Sequence, residues 1–205
     1  MTPPEYADEM AFCALEELTS ESVIDFGDSA VGGGALFLAF IRLIDSQIDS
    51  HASTKQIIHS AIGIDNDKKM ALEAYLRCKK RGLVVYYGDA LSPQMNLEEQ
   101  RNLMMVNPPY NRHEEIPVSY KKKIRDLAQK QTGIVVPQKA GLYVYHLLIM
   151  DRWLKQNGIA VWLLPSAFLQ TQYGGAVRKY LTENVRLLLF HQYDERATQF
   201  DNAML

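Results

Sequence analysis

A chain of 205 residues, 47% of them hydrophobic, is long enough to bury a sizeable core as one domain without staples. Its formal charge of -2 argues against a protein coated in basic residues for general nucleic-acid binding, although a local patch can still hold phosphate. Two cysteines, Cys13 and Cys78, lie far apart without metal-ligand spacing, which points to a reducing compartment, the cytoplasm. No window approaches the roughly 18 apolar residues of a membrane span, and Pro-Pro-Glu stands where a secretory signal needs an apolar stretch.

"TPPEYADEMAFCALEEL" opens with Thr2 placed to cap a helix, proline at the first helical position and Glu5 three residues after the threonine, the pattern of a capping box. "SVIDFGD" reads as a strand ending on Asp28, and "SAVGGGALFLAFIRLI" passes through three glycines into an apolar helix. "QIIHSAIGID" is a strand ending on Asp65, "DKKMALEAYLRCKKRG" a helix, "LVVYYGDAL" a strand ending at Asp89, and "RNLMMVNPPY" a fourth strand. Further on, "GLYVYHLLIMDRWLKQNG" reads as a helix stopped by Gly158, "IAVWLLP" as a strand, "GGAVRKYLTEN" as a helix and "VRLLLFHQYD" as a strand. Alternation of this kind predicts an α/β fold with an open, mostly parallel sheet and helices on both faces.

The stretch from Asn111 to Lys139 breaks the rhythm. It shows no apolar period, so the expectation is a basic loop insertion over residues 110–140 with a helical patch at most; seven basic residues stand against three acidic.

In such a sheet, ligands bind beyond the carboxyl ends of the strands, and four strands end on Asp28, Asp65, Asp89 and Asn107. Taken alone, "DSAVGGG" is equally well a tight strand-to-helix turn, since it lacks strict G-x-G-x-x-G spacing. A lone strand-end acid such as Asp65 is more often merely solvated. The order of the parts raises the reading: a glycine turn, an acid after the second strand, another after the third.

"TPPEYADEM", "DSAVGGGALF", "GIDND", "GDAL" and "VNPPY", in that order, resemble the motifs of the S-adenosylmethionine-dependent N6-adenine DNA methyltransferases. "LYVYHLLIMDRWLKQNGIAVWLLPSAFL" and "VRKYL" resemble the TaqI-like and type IIG restriction-modification members, so the likeness spans nearly the whole chain. It implies a Rossmann-like class I methyltransferase domain over residues 1–205, binding S-adenosylmethionine and acting on double-stranded DNA. At the glycine turn the family runs Asp-Pro-x-Cys-Gly-Ser-Gly; here Ser29, Val31 and Gly33 replace the proline, cysteine and serine. By resemblance, Thr2, Pro3 and the glycine turn with Asp28, Ala30, Gly32 and Gly34 hold the methionine end, Asp65 the ribose and Asp89 the adenine amine, with Asn66, Ala90 and Asn107 also on the cofactor. Ile64 and Ala90 are candidate walls for the ring. Asp28 either meets the cofactor's ammonium group or caps the turn.

The tetrapeptide has a chemical rationale. An exocyclic purine amine is a poor nucleophile because its lone pair is delocalised into the ring. Two acceptors aimed at its hydrogens localise that pair on nitrogen and stabilise the charge that develops. The side-chain oxygen of Asn107 and the carbonyl of Pro108 are such a pair, with Pro108 and Pro109 fixing φ and removing donors. Tyr110 offers a face for a flipped base, and Phe168 or Tyr173 either sandwiches that base or packs locally. Lys121, Lys122 and Lys123 read as a solvated face or as DNA phosphate contacts. His146 fits packing and His113 a loop surface; neither has a partner at metal-binding spacing, so no metal is expected.

The same tetrapeptide suits enzymes that methylate a glutamine amide or a guanine amine of ribosomal RNA, and a chain that only binds DNA or assembles a complex is the other alternative. The resemblance implies a further domain that reads the target, expected to lie outside these residues. Recognition is therefore expected from another segment or subunit.

Overall fold

The computed structural model describes residues 2–18, 23–49, 57–92, 100–193 and 202–204. The chain divides into two compact units, one of Met1–Asn107 with Trp153–Val161, the other of Pro108–Arg152 with Trp162–Leu205.

The first unit begins with α1 (Pro4–Glu17), which buries Tyr6, Ala7, Met10, Ala11, Ala14 and Leu15 along one side. The helix is preceded by Pro3 in extended conformation, without a side-chain cap, so the expected Thr2–Glu5 capping box does not form. The Thr2 hydroxyl oxygen instead accepts a bond from the Asn107 amide. β1 (Val23–Asp28), β2 (Ile57–Asp65), β3 (Leu83–Tyr87) and β4 (Arg101–Val106) follow, linked by α2 (Ala35–Asp49) and α3 (Lys68–Cys78). The strands lie in the order β3-β2-β1-β4, all parallel, with the first part of β5 (Leu154–Pro165) beyond β4. Buried strands in a parallel sheet need apolar residues on both faces, which accounts for the "LMMV" run of β4: Leu103, Met104, Met105 and Val106 are all fully buried. Phe26 of β1 packs tilted against Phe37 and stacked on Phe40 of α2, with ring centroids 5.2 and 6.2 Å apart, and pins that helix to the sheet.

The chain moves outward from β1 to β3 and then returns to the other side of β1 for β4. Strand order therefore reverses between β1 and β4, the place where open α/β sheets hold ligands. Asp67 caps α3 by accepting from the N–H groups of Lys69 and Met70, at 2.7 and 3.3 Å.

In the second unit the stretch expected to be a loop holds α4 (Val118–Thr132), fifteen residues long, preceded by a short 3-10 turn at His113–Glu115. Only Ile124 and Ala128 are buried along it, too sparse a stripe to show as a period, and Gly133 closes it at φ 73°. α5 (Leu142–Met150) is buried from Tyr143 onward, and a helix apolar all round belongs in an interior. Its predicted extension to Gly158 is not observed: a 3-10 turn at Asp151–Trp153 leads straight into β5, with Asn157 at φ 62°. α6 (Gly175–Glu183) is tied to the end of α5 by the Tyr180 hydroxyl, which donates to Asp151 at 2.7 Å. The strand expected over "VRLLLFHQYD" shrinks to β6 (His191–Gln192); Leu187 to Phe190 stay unpaired as strand and about 40–50% exposed. β7 (Asn202–Met204) runs antiparallel to both β6 and the end of β5. Among the described residues, no helix is long and apolar enough to cross a membrane.

Candidate active site

The turn after β1 is built by three backbone donors. Ala30 N–H reaches Asp28 Oδ1 at 2.9 Å, Val31 N–H the carbonyl of Ile64 at 2.9 Å, and Gly32 N–H Asp65 Oδ2 at 2.8 Å. Asp65 Oδ1 also accepts from Asp67 N–H at 2.8 Å, so this carboxylate, half-buried at the end of β2, ties the glycine turn to the start of α3. Each of its oxygens keeps a further lone pair for a hydroxyl group.

The glycines have different reasons to be there. Gly34 sits at φ 78°, and a Cβ on it would stand 2.5 Å from Cys78 Sγ. Cys78 therefore backs directly onto the turn, because α3 closes over it. Gly32 is also left-handed, at φ 50°, but a Cβ there would meet nothing within 4 Å. Its open side forms a cradle with room for a ligand to approach the backbone.

Asp28 is 1% exposed. One oxygen caps the turn through Ala30, so both expected roles fit together, for Oδ2 is buried without a hydrogen-bond partner among the described residues. Burial, with Asp65 nearby, pushes this carboxyl up to about 8 despite the Ala30 N–H. An orphaned buried oxygen beside an open glycine cradle fits a cationic ligand group such as an ammonium. Ala30 and Asp65 are half-buried, Asn66 is exposed, and Ala90 and Ile64 are buried at 3% and 0%. Asp89 lies two residues past β3, where its Oδ1 accepts from Leu91 N–H at 3.0 Å.

Across the reversal point, Gly27 of β1 pairs with Met104 of β4, which carries Asn107 to the same carboxyl edge. Asn107 is half-buried and not turned into the core; its Nδ2 donates to Thr2 Oγ1 at 3.1 Å. Pro3, expected with Thr2 at the methionine end, serves as the extended residue before α1.

The second unit holds the rest of the tetrapeptide. Pro108 is buried and Pro109 half-buried. The Tyr110 hydroxyl donates to the carbonyl of Leu163 at 3.0 Å, and its ring meets Tyr143 edge-to-face at 6.5 Å, leaving Tyr110 39% exposed. Nothing in the sequence singled out Tyr143, whose buried hydroxyl has no hydrogen-bond partner among the described residues and whose pKa is driven up by burial.

One expectation is corrected here. Phe168 is 1% exposed, because the guanidinium of Arg178 grips the carbonyls of Phe168, Leu169 and Thr171 and folds that turn inward; its ring packs and offers no free face. Lys121 is committed to the carbonyl of His113 at 2.8 Å, while Lys122 and Lys123 are exposed. His146 is buried and pushed down to about 3 by desolvation, a neutral packing residue as expected. His113 sits on its 3-10 turn with Nε2 2.9 Å from Glu114.

Comparison with known proteins agrees with this architecture. Across the whole chain, the fold matches a Listeria monocytogenes protein described as a class I S-adenosylmethionine-dependent methyltransferase, at TM-score 0.75 and 16% identity, covering 59% of that protein. It also matches, over its full length, the type I restriction-modification methyltransferase subunit from Streptococcus thermophilus (0.72, 18%, 43% of that chain) and the type IIG restriction endonuclease BpuSI (0.75, 15%, 25%). The chain thus spans between a quarter and three fifths of the lengths of these structures. The model of the Eco57I restriction-modification methylase family matches residues 48–200, from the end of α2 past β6, and the chain belongs to that family.

Proposed function

We propose that this chain is the catalytic part of a restriction-modification DNA methyltransferase that uses S-adenosylmethionine to methylate the N6 amine of a flipped adenine. The observation that carries this reading is the Asn107 amide, held at the carboxyl edge beside the strand reversal by its nitrogen, with its oxygen left to accept.

S-adenosylmethionine supplies a methyl group activated on a sulfonium. The residues of the first unit fit it: the Gly32 cradle, the orphaned Asp28 oxygen for its ammonium, Asp65 for ribose hydroxyls, and Asp89 for its adenine amine. Asn107 Oδ1 and the Pro108 carbonyl accept the two hydrogens of the target amine and concentrate its lone pair on nitrogen. Both proline rings hold φ, which fixes the direction of that carbonyl. Tyr110, its hydroxyl tethered to Leu163, offers its ring as a stacking face worth about 1–3 kcal/mol against the cost of base flipping. The proton leaves to solvent after transfer.

Target recognition falls to a further segment or subunit, in keeping with the larger chains of the matched structures. Incubation with methyl-labelled S-adenosylmethionine and duplex DNA, ribosomal RNA or a glutamine-bearing protein tests the reading. Label should enter adenine of DNA and vanish with Asn107→Ala. Label in RNA or protein would replace it with the related amine or amide chemistry, and absence of cofactor binding by calorimetry would leave a non-catalytic module.

A further inference from the structure

We propose that Thr2 is a positioning residue that anchors the Asn107 amide at the end of β4; this rests on the catalytic role just given to Asn107. The two ends of a carboxamide are nearly equal in shape and opposite in hydrogen bonding. With oxygen outward, Asn107 accepts from an amine. With nitrogen outward it would set donor against donor, and the site would be inert. The Thr2 Oγ1 to Asn107 Nδ2 bond at 3.1 Å engages the nitrogen end, which leaves the oxygen outward.

The sequence explains how a hydroxyl from the amino-terminal end reaches β4. Thr2 is followed by Pro3 at φ -57° and ψ 146°, and by Pro4, the first residue of α1. Two prolines leave the segment few alternatives. The helix they lead into is anchored by six buried residues, and the Pro3 carbonyl is held by Ala7 N–H at 3.1 Å. "TPPE" therefore acts as a rigid bracket carrying a hydroxyl to the end of a strand about a hundred residues away in sequence, a role its failed capping box left unexplained. Thr2 and Asn107 are both half-buried, so the bond is partly shielded from competing water.

The test uses Thr2→Val, which keeps the shape and removes the hydroxyl, and Thr2→Ser, which keeps the hydroxyl. The side-chain amide resonances of Asn107 in the 15N-labelled chain, assigned by their loss in Asn107→Ala, report the bond without turnover. In Thr2→Val they should move toward those of a free asparagine, and in Thr2→Ser remain near wild type. Methyl transfer should fall about tenfold to a hundredfold in kcat in Thr2→Val, with the KM for DNA unchanged, and largely recover in Thr2→Ser. Unmoved resonances, or an effect confined to cofactor affinity, would overturn the proposal. Failure of wild type to bind S-adenosylmethionine, or full activity in Asn107→Ala, would instead remove the catalytic reading, and the resonance test would still decide whether Thr2 orients the amide.

Discussion

Lys155 Nζ lies 2.6 Å from Asp25 Oδ2, clasping β5 to β1 from inside the first unit. The other Asp25 oxygen accepts from Ser60 at 2.7 Å and faces His59 Nδ1 at 2.9 Å, while its backbone N–H donates to Asn102 at 2.8 Å. Burial works to raise this carboxyl, but the bonds from Lys155, Ser60 and His59 and the lysine charge outweigh it, so its pKa falls well below the usual carboxylate range.

A carboxyl depressed in the fold stabilises it at pH values above the unfolded value near 4, and the contribution is lost as pH falls through the folded one. Asp25→Asn should therefore cost about 1.5–3 kcal/mol at pH 7 in urea unfolding. The difference from wild type should narrow as the pH is taken from 4 toward 2. A constant difference across that range would count against the clasp.

Gly34 and Gly32 should separate folding from binding. Gly34→Ala combines a left-handed backbone, about 1–2 kcal/mol, with overpacking against Cys78, about 1–3 kcal/mol. Making it in a Cys78→Ala background should recover only the steric part. Gly32→Ala meets no atom and should cost only the backbone penalty, yet weaken S-adenosylmethionine binding in calorimetry. Unchanged affinity in Gly32→Ala would empty the cradle of its meaning.

Asp28 predicts a pH dependence of opposite sign to Asp25. A carboxyl raised to about 8 in the fold adds stability that is complete below its unfolded value near 4 and disappears as pH climbs through 8. The free chain should lose stability between about pH 4 and 8 relative to Asp28→Asn, which should be the more stable protein at pH 9. Pairing with an ammonium favours the ionised carboxyl, so cofactor binding at pH 7 should release a proton. Calorimetry in buffers of different ionisation enthalpy measures that release, and none should be seen in Asp28→Asn.

The lysine run divides by geometry. Lys122→Ala with Lys123→Ala should lower the salt dependence of non-specific duplex binding by nearly two units of log–log slope, as loss of two phosphate contacts requires. Lys121→Ala should change that slope less and cost about 1 kcal/mol of stability, because its ammonium holds the His113 carbonyl. Fluorescence anisotropy over a potassium chloride series separates the two, and equal slopes in all variants would take DNA off this helix.

The order of strands, the glycine turn and the strand-end polar residues were legible because each leaves a local mark: an apolar run, a glycine, an acid. α4 was not, since two buried residues on fifteen make no period, although Pro117 before it and Gly133 after it bracketed the helix. The helix through Leu142–Met150 was extended too far because Trp153 and Leu154 continue the apolar pattern, while the turn into β5 depends on Asn157 tolerating φ 62°. Leu187–Phe190 resemble a strand by composition, yet pairing is a property of neighbours, and only His191 and Gln192 find one. Among the candidate site residues, the placing of the aspartates and Asn107 at or just past strand ends was evident from the sequence; the bond between Thr2 and Asn107 was not, because no local pattern links residues 105 positions apart.

A Cβ on Gly63 of β2 would stand 2.7 Å from Cγ2 of Val31, the residue that occupies the family's cysteine position in the glycine turn. These two positions share one volume. Substitutions there cannot drift independently: a side chain at 63 demands a smaller or unbranched one at 31, so natural relatives should show the two sites changing together.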